Sequence, residues 1–170
     1  MRNTLFILFF LSAITFCGAQ TPYLKFADDN NKEGIIYKGM ISKYILENEH
    51  SFDWYFKNKK SYLPETSLIT AMESVKDSIQ FIIFGGTWCD DTQLILPHFF
   101  KIQELSGFPD SAIVLFGVDR NKKTMGNLSE AFSITNVPTI IAMKDGKELG
   151  RVVEYGNDGD WENSLRELLH

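Results

Sequence analysis

The stretch Phe81-Ile82-Ile83-Phe84-Gly85-Gly86-Thr87-Trp88-Cys89-Asp90-Asp91-Thr92 decides how this chain is read. Four apolar residues in a row predict a strand buried on both faces, as in a parallel sheet. Gly85 and Gly86 break the run, and the polar residues after them open a helix. Such a junction exposes a reactive group beyond the strand's end. The group placed there is the thiol of Cys89.

Working outward, Leu94, Ile95, Leu96, Phe99, Ile102 and Leu105 are apolar on nearly every side of the helix that Cys89 opens, which predicts packing between sheet and neighbours. Gly107 to Asp110 ends it. Ala112 to Val118 reads as a second buried strand and Asn127 to Phe132 as a short helix. Strands over Thr139 to Lys144 and Glu148 to Glu154 meet at Asp145-Gly146, a dipeptide suited to a tight hairpin. Asp160 caps a last helix in which Trp161, Leu165, Leu168 and Leu169 share a face.

Upstream, Pro64 and Glu65 open a helix with buried stripe Leu68, Met72 and Val75, running to about Asp77. Ile41 to Lys60 predicts two short helices joined at Glu47-Asn48-Glu49-His50. Thr21 to Glu33 is polar, lacks sustained periodicity and is expected to be a flexible lead-in.

Four landmarks in order, Trp88-Cys89, Pro97 eight residues after the cysteine, Val137-Pro138-Thr139 and the Asp145-Gly146 hairpin, resemble the thioredoxin family from Ser78 to His170. The resemblance implies an α/β, thioredoxin-like fold, a central mixed sheet flanked by helices, here with an N-terminal helical extension. It implies a cis proline at Pro138 beside the thiol, and disulfide chemistry. Two departures matter. Thr92 stands where the second cysteine of the family's Cys-x-x-Cys motif belongs, with no cysteine downstream, so the chain looks like a single-cysteine Cys-x-x-Thr variant of bacterial cell-envelope type. Ile83 stands where many members carry a buried acid.

A thiol reacts as its thiolate, and the amides at a helix start favour that form. Asp90 and Asp91 oppose it by like charge. The two acids read either as modulators of the thiol or as ordinary helix-starting residues. Thr92 is one turn above Cys89, where a hydroxyl can donate to a thiolate. Trp88 offers a flat apolar surface to substrate. Under the family geometry Val137 and Pro138 face it, with the Val137 backbone free to pair with an extended peptide.

At 170 residues with 14 Phe the chain has material for one core of ordinary size. Arg2, an apolar run from Leu5 to Phe16 and then Cys17-Gly18-Ala19 have the anatomy of a signal peptide. Cleavage near Ala19 divides the chain into 1–19, a lead-in and helical extension over 20–63, and a thioredoxin-like domain over 64–170. The run is about a dozen residues, short of the roughly 20 that span a bilayer. Cys17 as a lipid anchor is the less favoured reading, since Phe16 is large where lipid-modification sites favour a small residue. A secreted or periplasmic protein is expected.

Losing Arg2 leaves 16 basic residues against 22 acidic, a net charge of −6, which disfavours nucleic acid. Arg120-Asn121-Lys122-Lys123 reads as a solvated loop. His50, His98 and His170 are too dispersed for a metal site, and no glycine-rich phosphate loop calls for a cofactor. His98 lies about 13 Å along the helix from Cys89, too far to act as its base.

The expectation is thiol–disulfide exchange through Cys89 on protein or small-molecule thiols and disulfides, with Thr92 assisting. A non-catalytic peptide-binding module is the alternative. A thiol peroxidase is weaker, because Thr87 lies two residues before the cysteine rather than three.

Overall fold

The structure, a computed structural model, describes residues 21–170. The signal-peptide reading of 1–19 lies outside them. Strand β1 (Tyr23–Asp28) and strand β2 (Asn31–Ile41) are followed by helices α1 (Lys43–Asn48), α2 (Asp53–Ser61) and α3 (Thr66–Val75). Then come β3 (Gln80–Gly85), α4 (Asp90–Leu105), a single 3₁₀ turn and β4 (Ile113–Gly117). Helix α5 (Leu128–Ala131), strands β5 (Thr139–Lys144) and β6 (Lys147–Val153), and α6 (Trp161–Leu168) complete the described chain.

The strands form one mixed sheet in the order β1-β2-β4-β3-β5-β6. Strand β3 runs parallel to β4 and antiparallel to β5, with Ile83 opposite Leu115 on one side and Ile140 on the other. Its position inside the sheet explains its unbroken apolar run, since both faces need covering. Phe81 and Ile83 have no exposure and enter the larger core, with Tyr55, Met72, Ile95, Phe99 and Leu165 from α2, α3, α4 and α6. Phe84 points the other way, into a smaller cluster with Phe116, Val118, Val137 and Ile141.

The lead-in expected over Thr21 to Glu33 is instead a β-hairpin continuing into β2, which hydrogen-bonds to β4 through Gly39↔Gly117 and Ile41↔Leu115. The stretch before residue 63 therefore contributes two strands to the main sheet beside its two helices. Its turn is Asp29-Asn30, where the Asp28 side chain accepts the Asn30 amide at 3.1 Å. Strand β1 is exposed over four consecutive residues, so no apolar alternation marks it. At Gly39 the backbones crowd: an added Cβ would lie 2.5 Å from the Pro22 carbonyl oxygen, at φ 124°.

Pro97 lies inside α4 and is buried. Lacking an N–H, it cannot donate to the carbonyl of Gln93, four residues back. The side-chain amide of Asn58 on α2 donates to that oxygen at 2.9 Å. Helix α2 thus supplies the hydrogen bond that the proline removes.

Candidate functional site

The site begins where β3 stops. An added Cβ on Gly85 would stand 3.0 Å from Leu96 Cδ1 and Thr92 Cγ2, so a bare backbone here lets α4 pack against the strand end. On Gly86 it would meet the Trp88 indole at 2.7 Å, so this glycine makes room for the ring. The Thr87 hydroxyl donates to the Ile35 carbonyl at 2.7 Å and accepts the Tyr37 amide at 3.3 Å, fastening the loop to β2. Cys89 is the N-cap of α4 in extended conformation, and its carbonyl accepts the Gln93 amide at 2.9 Å.

Cys89 is half-buried, and it is the free cysteine among the described residues. Its thiol donates to the Val137 carbonyl at 3.2 Å. The Val137–Pro138 bond is cis. Cysteine and proline turn, 48 positions apart, are therefore in direct contact. In this state the Val137 carbonyl is the partner of the thiol, where the sequence reading had the Val137 backbone free for a substrate strand. The Val137 side chain is buried at 2% exposure.

Thr92 is 1% exposed, and its Oγ1 accepts the buried Gly86 amide at 3.2 Å. Among the described residues it makes no hydrogen bond to the sulfur. One turn into the helix its hydroxyl lies beneath the Gly85–Gly86 loop, so it serves the loop that presents the cysteine. Asp90 is exposed and Asp91 half-buried. Tyr155, after β6, lies near them: burial pushes its hydroxyl pKa up, and the neighbouring Asp91 carboxylate and the charges of Cys89 and Asp90 push the same way.

Three residues of this site escaped the sequence reading: Tyr155, Arg120 and Asp28. Arg120 was grouped with the solvated Arg120-Asn121-Lys122-Lys123 loop. Instead its Nε and Nη2 donate to the two carboxylate oxygens of Asp28, each at 2.7 Å, and its guanidinium carbon lies 5.0 Å from the Trp88 ring centre. Asp28 is 4% exposed, and the Arg120 hydrogen bond is the chief cause holding its carboxyl below the usual range. Trp88 is fixed further by donating from Nε1 to the Val118 carbonyl at 3.0 Å. Half-buried, pinned and covered by Arg120, it offers less open surface than the sequence implied. A charged pair 92 positions apart leaves no local pattern in the sequence.

His98 is remote from this chemistry. It stacks on Tyr62 with ring centres 3.9 Å apart, and burial pushes its pKa down to about 4. No helix among the described residues is long and apolar enough to cross a membrane.

A family model described as Thioredoxin matches residues 39–159. The chain is 29% identical over 85 residues to a thioredoxin of Staphylococcus haemolyticus, covering 49% of this chain and 75% of that protein. It is 30% identical over 99 residues to a thioredoxin of Geodia cydonium, covering 58% and 84%. Among solved structures, an HIV epitope-scaffold superposes with TM-score 0.52 at 16% identity, covering 75% of this chain and 88% of that one, a likeness of fold alone.

Proposed function

The chain belongs to the thioredoxin family, and from that premise we propose that it carries out thiol–disulfide exchange through Cys89 as its single reactive thiol, in the bacterial cell envelope. The observation that carries the reading is the 3.2 Å contact from the Cys89 thiol to the Val137 carbonyl. It sets the sulfur at the start of a helix and against the proline turn, where a bound disulfide meets both.

The reaction takes two exchanges. The thiolate of Cys89 attacks one sulfur of a disulfide, forming a mixed disulfide and releasing the other sulfur as a thiolate. A second thiol then attacks the substrate sulfur of the mixed disulfide, and Cys89 leaves as thiolate with no net change in the protein. Thr92 has no thiol with which to take that second step. The resolving thiol is therefore external: a small thiol, another protein, or a second cysteine of the substrate.

The envelope location is supported by the leader anatomy of Arg2, the Leu5–Phe16 run and Cys17-Gly18-Ala19. In an oxidising compartment a lone, partly accessible thiol meets disulfides rather than a reducing pool. Peroxidase chemistry is disfavoured because the Thr87 hydroxyl is committed to Ile35 and Tyr37.

The test is turnover of a glutathione mixed disulfide in the presence of reduced glutathione. Wild-type protein is expected to catalyse it, and Cys89→Ser to lose all activity while remaining folded. Equal activity in the two would refute the proposal. Peptide binding that survives Cys89→Ser, without turnover in either protein, would point to a non-catalytic module.

A further inference from the structure

We propose that the N-terminal hairpin forms a docking groove for a polypeptide substrate, taking the segment that flanks its disulfide and preferring an apolar side chain with a lysine or arginine beside it. The proposal rests on Cys89 being the exchanging thiol, and it deepens that reading by naming protein disulfides as the substrate class. Between the hairpin and the segment after β4 lies a groove of about 290 Å³. Phe26 on β1 stands directly opposite Ile36 on β2, so the two side chains share a face of the sheet and form the groove's apolar floor. Ile36 is buried, yet Phe26 keeps 39% of its surface exposed, and Leu24, two residues earlier on the same face, is more exposed still. An apolar strip along β1 is therefore left uncovered on the side that holds the groove.

The rim is charged. Asp28, Asp29, Asp119 and Arg120 line it. Asp28 is neutralised by Arg120, and Asp119 by Lys38 at 2.6 Å. Asp29 is exposed and, among the described residues, has no cationic partner. Three carboxylates against two cations leave one negative charge in excess, and that charge belongs to Asp29. A basic side chain complements it, whereas an acidic one is repelled. The groove is also continuous with the thiol's surroundings, because Arg120 in its wall lies 5.0 Å from the ring centre of Trp88, which directly precedes Cys89. One Cα step of about 3.8 Å, the Trp88 side chain and that stack separate cysteine from groove, so an extended chain advancing roughly 3.3–3.6 Å per residue crosses the gap in on the order of four residues. A small disulfide without flanking chain does not reach it.

The experiment uses the folded full chain and two synthetic peptides, each carrying one cysteine as its glutathione mixed disulfide and a pair of residues about four positions away. The pair is leucine with lysine in one peptide and serine with glutamate in the other, in versions that place it before and after the cysteine. Turnover consumes one reduced glutathione and yields one glutathione disulfide for each peptide thiol released. The readout is kcat/KM for each peptide divided by that for the cysteine–glutathione mixed disulfide, which has no flanks. In wild type the leucine–lysine peptide, in one of the two orientations, is expected to exceed the serine–glutamate peptide by about tenfold, chiefly through KM. Asp29→Lys should cut that preference to about threefold or less, and Phe26→Ser should cut it by a similar factor. Equal ratios for the two peptides, or a preference untouched by both variants, would overturn the proposal. If no substrate turns over, the exchange reading fails and docking is read separately: a leucine–lysine peptide with serine in place of cysteine should shift the amide resonances of Phe26, Asp29 and Ile36. Shifts confined to residues at the proline turn, or none at all, would overturn docking. Hairpin resonances that move with protein concentration alone would assign the groove to a second copy of the chain and overturn it likewise.

Discussion

Thr92 shows how one hydroxyl decides what a loop does. Its oxygen is the acceptor for the buried Gly86 amide, so Thr92→Val leaves that N–H without a partner in a site water does not reach. The expected cost is about 1–3 kcal/mol in urea unfolding, with Thr92→Ser closer to wild type because the acceptor is kept. Gly86 is constrained from its other side. Gly86→Ala puts a methyl where the Trp88 indole now lies, 2.7 Å away, and should displace the Trp88 indole N–H resonance while lowering exchange activity. An unmoved resonance would show that the ring does not depend on the bare backbone. Cys89 does meet the Val137–Pro138 turn, and each was legible because it belongs to a local motif. The sequence misread Thr92's partner, because the direction of a side chain within one helical turn depends on what lies above it.

At the scale of elements, α4 is held by groups it does not own. Asn58 on α2 fills the carbonyl that Pro97 leaves unpaired, so Asn58→Ala is expected to destabilise the chain by about 1–2 kcal/mol despite its half-exposed site. Comparison of urea midpoints checks this. His98 on α4 stacks against Tyr62, which closes α2, and is held neutral by burial, with a pKa of about 4 against an ordinary 6.5. Between those values the unfolded chain binds more protons than the folded one. Stability therefore falls as pH drops from about 6.5 to 4, by at most ~1.4 kcal/mol per pH unit for this group. His98→Phe keeps the aromatic stack and should flatten that slope in denaturant titrations. A slope identical to wild type would assign it to other groups. The helices were legible because each carries an apolar stripe, whereas β1 was not, being exposed along most of its length.

Over the whole molecule, the site joins parts of the chain that are far apart in sequence: Asp28 on β1, Thr87 and Cys89 after β3, Arg120 after β4 and Val137 before β5. The hairpin is bound to the site through Asp28–Arg120 and through Thr87 to Ile35 and Tyr37. Asp28 is ionised below the ordinary carboxylate range, so its contribution is present above about pH 4 and is lost as pH falls through its folded value. Acid should thus loosen the hairpin and the thiol's surroundings together. The central claim is that Cys89 is reachable and exchanges by itself. The direct measurement treats the folded protein with oxidised glutathione and maps the products by mass spectrometry. One adduct at Cys89, removed by reduced glutathione and absent from Cys89→Ser, is the predicted result. A Cys89 that stays unmodified until urea unfolds the chain would contradict it.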